Sequence, residues 1–251
     1  MNGIYVSSGP SGAPTRGKTE VLPTGKNFYS VDSRGLPTES AWIVGCKSAS
    51  QIIDLYKQEH GQDLKKLAIS VWATSTMRNG GEDICQILYL LGVKPLWDGP
   101  SRRVIDLEII PLSVLNRPRV DVTLRISGMF RDAFPNLISL VHKAINLVSY
   151  LDEDIIFNPI LESFKKGDSL NRIFGSAPGS YGAGLQELIS NSSWDNNNDF
   201  SDAYMSWSKW IYYDNKEPIE IKKELEKVLK NIQVVIHNQD NREHDILDSD
   251  D

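Results

Sequence analysis

Three short runs constrain this chain more than any other feature: LAISVWAT (67–74), VDVTLRIS (120–127) and IQVVIH (232–237). Each is apolar and β-branched, and too short for an ordinary helix, as expected of strands buried inside a parallel sheet. Helical patterns alternate with them. Gly80-Gly81 leads into EDICQILYLLG, which ends at Gly92, and Gly128 leads into a long amphipathic segment with Pro135 in its first turn. In that segment Phe134, Leu137, Leu140, Val141, Ala144, Leu147, Val148 and Leu151 recur every three or four residues, the stripe of a helix packed on a core. Strands alternating with helices predict an α/β fold, a mostly parallel sheet flanked by helices.

The remaining stretches fit around this frame. Residues 7–26 are rich in Gly, Pro, Ser and Thr without a period of 2 or 3.6, so residues 1–37 are expected to form an extended, irregular arm before an α/β unit over 38–251. The polar cluster Thr38-Glu39-Ser40 is a helix start, and Gly61 closes that helix. VKPLWDG and RVIDLEII are further candidate strands, residues 153–200 read as short helices and loops, and two helices are expected near 200–211 and 219–230.

Bulk properties exclude several classes. With 27 basic and 33 acidic side chains the net charge is −6, which gives no electrostatic basis for nucleic acid as a main partner. No apolar run approaches the ~20 residues needed to span a bilayer, and the first residues lack a signal peptide's apolar centre, so no membrane role and a cytoplasmic location are expected. Cys46 and Cys85 stand far apart and predict buried or half-buried thiols, neither a metal site nor a disulfide. His142 falls off the apolar stripe, as a solvated histidine does.

In an open parallel sheet ligands bind beyond the carboxyl ends of the strands, where loops converge and helix N-termini point. Three segments occupy that position: 75–83 after the first run, Gly128 to Asp132 after the second, and NQDNREHD (238–245) after the third. Arginines mixed with carboxylates suit an anionic, partly apolar ligand. Two glycine-containing stretches fail as phosphate loops. PTGKN has Asn27 where a P-loop needs Ser or Thr, and GSAPGSYGAG (175–184) lacks the GxGxxG order, so no ATP site is expected in this chain. The four glycines around Tyr181 still let backbone approach something closely, either another segment or a flat ligand.

Six stretches carry a resemblance: LPTGKNFYSVD (22–32), SVWATSTMRNGGEDI (70–84), LWDGPSRRV (96–104), RPRVDVTLRISGMFRDAFPNLI (117–138), RIFGSAPGSYGAGLQ (172–186) and NQDNREHDILDSDD (238–251). In this order they resemble the large subunits of cobaltochelatase and, less closely, of magnesium chelatase. The likeness is to the C-terminal part of a much longer subunit, so the chain is expected to be a fragment with Asp251 inside a motif that would continue. The resemblance implies ATP-dependent insertion of cobalt into a tetrapyrrole on the corrin pathway, with separate AAA+ subunits using the ATP. Inserting a divalent ion means removing two pyrrole N–H protons and stripping water from the metal, tasks for a carboxylate or a neutral imidazole. His244, Glu243 and Asp240 are the expected catalytic groups, and Asp240, His244 and Asp245 the expected metal ligands. Arg78, Arg102, Arg103, Arg125, Arg131 and Tyr181 are expected at the macrocycle and its carboxylate or amide rim. The competing expectation is a scaffold that docks the ATPase partners and has no site of its own.

Overall fold

The computed structural model describes residues 31–182, 184–214 and 217–239, together with Tyr5 and Leu22. After a 3-10 turn at Ser33–Gly35, helix α1 (Glu39–His60) starts where the Thr38 hydroxyl accepts the Ala41 amide at 3.1 Å and stops at Gly61, whose φ of +66° is left-handed. Then follow β1 (Lys66–Val71), α2 (Ala73–Asn79), α3 (Glu82–Leu91), and the strands β2 (Val93–Trp97) and β3 (Val104–Ile109). The short α4 (Leu112–Leu115) leads to β4 (Asp121–Ile126), α5 (Gly128–Ala133) and α6 (Pro135–Ser149), which begins on the expected proline. Beyond α7 (Pro159–Lys165) come β5 (Ile173–Gly175), α8 (Gln186–Asn191), α9 (Asn197–Trp207), β6 (Trp210–Ile211), β7 (Ile219–Glu220), α10 (Lys222–Leu229) and β8 (Val234–His237).

One sheet runs β7-β6-β5-β4-β1-β8. Its four strands β5, β4, β1 and β8 are parallel, and β6 and β7 are added antiparallel. The expected mostly parallel sheet flanked by helices is therefore present. The strands read from VKPLWDG and RVIDLEII also form, but as a separate antiparallel hairpin.

Alternation along the central strands sorts their side chains onto two faces. Leu67, Ile69 and Val71 of β1 and Val122, Leu124 and Ile126 of β4 join the main core with Ile87 and Leu90 of α3 and Leu137, Val141 and Val148 of α6. Each such side chain contributes about 1.5–3 kcal/mol on burial. The opposite face carries Lys66, Ala68 and Ser70 of β1 with Asp121, Thr123 and Arg125 of β4, and a second small cluster of Phe174, Ile211 and Leu225 lies toward α10. Two buried ion pairs fix the periphery. Arg172 grips Asp121 through two bonds of 2.7 and 3.0 Å, and Arg119 reaches Glu153 at 2.7 and 2.8 Å.

Because β1, β4, β5 and β8 are parallel, their C-terminal ends lie on one edge, as expected for 67–74, 120–127 and 232–237. The segments starting at Trp72, Ser127, Ser176 and Asn238 all leave the sheet there. The stretch after LAISVWAT is not a loop throughout: Ala73 to Asn79 is helical, with the Thr76 hydroxyl bonded back to the Trp72 carbonyl at 2.8 Å. Similarly, Gly128 opens α5, capped by the Ser127 hydroxyl on the Phe130 amide at 3.1 Å. No helix among the described residues is long and apolar enough to cross a membrane.

Candidate functional site

The glycine-rich stretch after β5 folds over the start of α5. A Cβ on Gly128 would lie 2.5 Å from the Ser180 carbonyl oxygen and 2.9 Å from Tyr181 Cδ1, so only glycine permits this approach. A Cβ on Gly184 would meet the Trp207 indole at 2.0 Å. Of the two outcomes open for GSAPGSYGAG, close approach to another segment is thus realised.

Arg131 holds that loop in shape. Its Nη1 donates to the carbonyls of Ala177 (2.6 Å) and Ser180 (3.2 Å), and its Nε and Nη2 grip Asp132 at 2.6 and 2.8 Å. The guanidinium also lies 5.5 Å over the Tyr181 ring, and the Tyr181 hydroxyl donates to Asp132 at 2.8 Å. Hydrogen bonding from Arg131 and Tyr181 holds the Asp132 carboxyl below the usual carboxylate range, the Arg131 contribution being the larger. The same carboxylate pushes the Tyr181 phenol up, since it accepts the phenolic proton. Tyr212 closes the back of the loop through a short hydrogen bond from its hydroxyl to the Ser176 carbonyl.

Arg125, the last residue of β4 but one, donates to the Gly182 carbonyl at 2.7 Å, and its guanidinium carbon is 5.6 Å from the Trp72 ring. On the other side the Trp72 and His237 rings are 5.6 Å apart. Sheet register explains the row: Ser70 pairs with Arg125 on β4 and with His237 on β8, and Trp72 lies two residues beyond Ser70 on the same face. Burial pushes the His237 pKa down. The Trp72 indole N–H is buried and meets no acceptor among the described residues. Beside the row, Asn238 donates to Asp83 at 2.7 Å and Gln86 at 2.6 Å on the first turns of α3, which fixes how the chain leaves β8.

The residues expected from sequence therefore divide. Arg125, Arg131 and Tyr181 meet at one strand-end cluster. Arg78 is exposed in the last turn of α2. Arg102, with φ of +52°, and Arg103 sit at the β2–β3 turn, where Arg103 bonds Asp32 at 3.4 Å. Contacts of Trp97 Nε1 with the Pro37 carbonyl (2.8 Å) and of the Thr38 amide with the Gly80 carbonyl (3.0 Å) tether this part of the molecule near the end of α2. Asp240, Glu243, His244 and Asp245 lie outside the described residues. Sequence reading overlooked Trp72, His237 and Asn238. Their signal was faint: each stands at the last position of a strand or just past it, where the sheet rule directs attention.

Comparison with known proteins decides the lineage. The family model described as CobN/Magnesium Chelatase matches residues 1–251. The chain belongs to that family. Aerobic cobaltochelatase subunit CobN of Pseudomonas aeruginosa is 46% identical over 100% of this chain and 21% of its own length. The protein of the same name from a Sinorhizobium species is 48% identical with the same two coverages. The catalytic subunit of cobaltochelatase from Mycobacterium tuberculosis superposes with a TM-score of 0.85 at 44% identity, covering 97% of this chain and 22% of that one. The chain spans about a fifth of the length of these CobN relatives. The glycine-rich loop and the strand-end row thus lie in a stretch that matches about a fifth of these relatives.

Proposed function

We propose that this chain forms one wall of the tetrapyrrole site in the large subunit of an ATP-dependent cobaltochelatase, where cobalt is inserted into a corrin-pathway macrocycle for cobalamin biosynthesis. The observation that carries the reading is the shared edge of β1, β4, β5 and β8, which gathers Trp72, Arg125, Tyr181 and His237 where an open sheet binds ligands. Trp72 offers a flat apolar face for a macrocycle, Arg125 and Tyr181 polar groups for its rim, and the 240–245 stretch that follows β8 the acidic and imidazole groups for metal transfer. Cobalt is a substrate in this reading. ATP is consumed by AAA+ partner subunits, consistent with the absence of a P-loop sequence, and the site is a cytoplasmic one.

One observation favours a second reading. Arg131 already spends its guanidinium on Asp132 and on loop carbonyls, and Arg125 on Gly182, which is what a scaffold for partner docking would show. Titrating the purified chain with the macrocycle separates the two. Site formation predicts quenching of tryptophan fluorescence with a shift of the macrocycle's absorbance, both weakened in Trp72→Leu. A docking module shows neither, and instead retains the partner ATPases in a pull-down.

A further inference from the structure

Metal insertion needs a group that takes pyrrole protons, and the described residues contain one imidazole on the candidate edge. We propose that His237 accepts a pyrrole N–H proton from the macrocycle during insertion, working from the row His237–Trp72–Arg125. The inference rests on the tetrapyrrole reading above and gives a role within it to a residue that the sequence motifs did not single out.

Three observations place it. His237 ends β8 in register with Ser70, and Ser70 is in register with Arg125, so imidazole and guanidinium stand level on the two strands flanking β1, with the indole of Trp72, two residues beyond Ser70, 5.6 Å from the imidazole ring and 5.6 Å from the guanidinium carbon. The rings of His237 and Trp72 are 5.6 Å apart and tilted by 47°, so a flat ligand resting against the indole lies beside the imidazole. Neither imidazole nitrogen has a hydrogen-bond partner among the described residues, while the residue is exposed enough to meet a ligand. The charged groups on neighbouring elements include Arg125 on β4, beyond the indole, Asp83 on α3, which is bound to Asn238, Glu82 beside it at the start of α3, and Arg78 in the last turn of α2. Desolvation favours the neutral ring at physiological pH, the form able to accept a proton.

The step balances without a redox partner. The lone pair of an imidazole nitrogen takes the proton, the N–H electron pair stays on the pyrrole nitrogen, and that nitrogen binds the divalent ion as a bound water leaves. The imidazolium passes its proton to solvent, and the second pyrrole proton goes to water.

The test uses the complete subunit with its partner subunits, ATP, Co2+ and the macrocycle, measuring insertion rate against pH and macrocycle affinity by fluorescence. For His237→Ala and His237→Gln the expected result is a rate lower by about 10²–10⁴-fold with little change in affinity, loss of the acid limb of the pH profile, and partial recovery of His237→Ala by added imidazole. A wild-type rate and profile in both variants overturns the role of His237, and so does a loss confined to affinity. Trp72→Leu is the companion that tests the underlying reading. If it leaves affinity unchanged, the tetrapyrrole wall is misplaced. If it weakens affinity while His237→Ala keeps the wild-type rate, the wall stands and only the proton role fails.

Discussion

Asn238 anchors the chain leaving β8 to a carboxylate on helix α3: its amide nitrogen lies 2.7 Å from Asp83 Oδ1 while also bonding Gln86. Both acceptors are buried, at 3% and 1% exposure. Asn238→Ala removes the one donor they share, and weakening such a buried network costs about 1–3 kcal/mol. The expected thermal midpoint falls by a few degrees. If the 240–245 stretch acts in the reaction, the complete subunit loses more in insertion rate than in stability, up to about 10²-fold, because small misplacements of reacting groups are costly. Melting curves and insertion rates on one preparation check this, and an unchanged rate with a lowered midpoint assigns Asn238 to folding alone.

Gly128→Ala tests the glycine-rich loop. The added Cβ meets the Ser180 backbone at 2.5 Å, which a side-chain rotation cannot relieve. The loop must move, and with it the Ser180 carbonyl that Arg131 holds. Overpacking of this kind costs typically about 1–3 kcal/mol. Faster limited proteolysis between residues 176 and 185, together with a lower urea midpoint, is the expected outcome. Unaltered cleavage would show that the loop does not lean on α5.

Much of the sheet was legible because burial leaves a local imprint. Strands at 67–74, 120–127 and 232–237 are apolar and β-branched, and the helix ends at Gly61 and Gly92 follow from a left-handed conformation that glycine adopts readily. What escaped depends on pairing between distant residues. β5, β6 and β7 have three, two and two residues, too few for any period to emerge. VKPLW and VIDLEI look like members of the main sheet, yet nothing local decides that they pair with each other. The Trp72–His237 contact depends on strand register, since one residue of slippage would send either ring to the opposite face. Arg125 and Arg131 were legible as strand-end residues, but their engagement with loop carbonyls was not, because it depends on where residues 177–182 return.

The Arg131–Asp132–Tyr181 cluster sets a pH dependence. The folded Asp132 carboxyl titrates below its unfolded value of about 3.9, so its contribution is complete above that pH and disappears as pH falls through the lower folded value. Its side chain is 48% exposed, so the contribution is small, below about 1 kcal/mol. Tyr181 has the opposite sign: its folded phenol titrates above the unfolded one, so its contribution is present below about pH 10 and lost at higher pH. Urea midpoints measured against pH should therefore fall less steeply on the acid side in Asp132→Asn than in wild type. Equal slopes would remove Asp132 from the acid response.

Both thiols should resist alkylation in the native chain. Burial pushes Cys46 up to about 11 in spite of Arg117 and Lys94, and it raises the buried Cys85 well above the ordinary thiol value. The thiolate is the reactive form, so at pH 7.5 only on the order of one Cys46 in a few thousand is competent. Iodoacetamide should label neither cysteine appreciably in buffer and both in urea. Rapid native labelling of Cys46 would mean that α1 opens locally or that its thiol is less desolvated than its position implies.

The arginines of this chain serve different ends, and substitution should separate them. Arg119 is fully buried and makes five hydrogen bonds: from Nη1 to the Leu91 and Gly92 carbonyls at 3.0 and 2.9 Å, from Nη2 to the Ile110 carbonyl at 3.0 Å and Glu153 at 2.7 Å, and from Nε to Glu153 at 2.8 Å. It therefore ties the end of α3, the exit of β3 and the turn before α7 to the start of β4. Arg119→Met fills much of the same volume but leaves three carbonyls and a mostly buried carboxylate short of donors. Removing one partner of a buried pair costs about 3–5 kcal/mol, which for a chain of this size lowers the midpoint by on the order of 10 °C. Arg119→Lys should fall between, since an ammonium group cannot reproduce the planar fork that reaches carbonyls and carboxylate together. Arg103 is the contrast: its 3.4 Å contact with Asp32 is made by a side chain 40% exposed, so Arg103→Gln should change stability by less than about 1 kcal/mol. If Arg103 nevertheless serves the macrocycle rim, that variant keeps its midpoint and loses affinity for the tetrapyrrole in the complete subunit. Equal midpoints for Arg119→Met and Arg103→Gln would contradict the division between bracing and surface arginines on which the assignment of site residues depends.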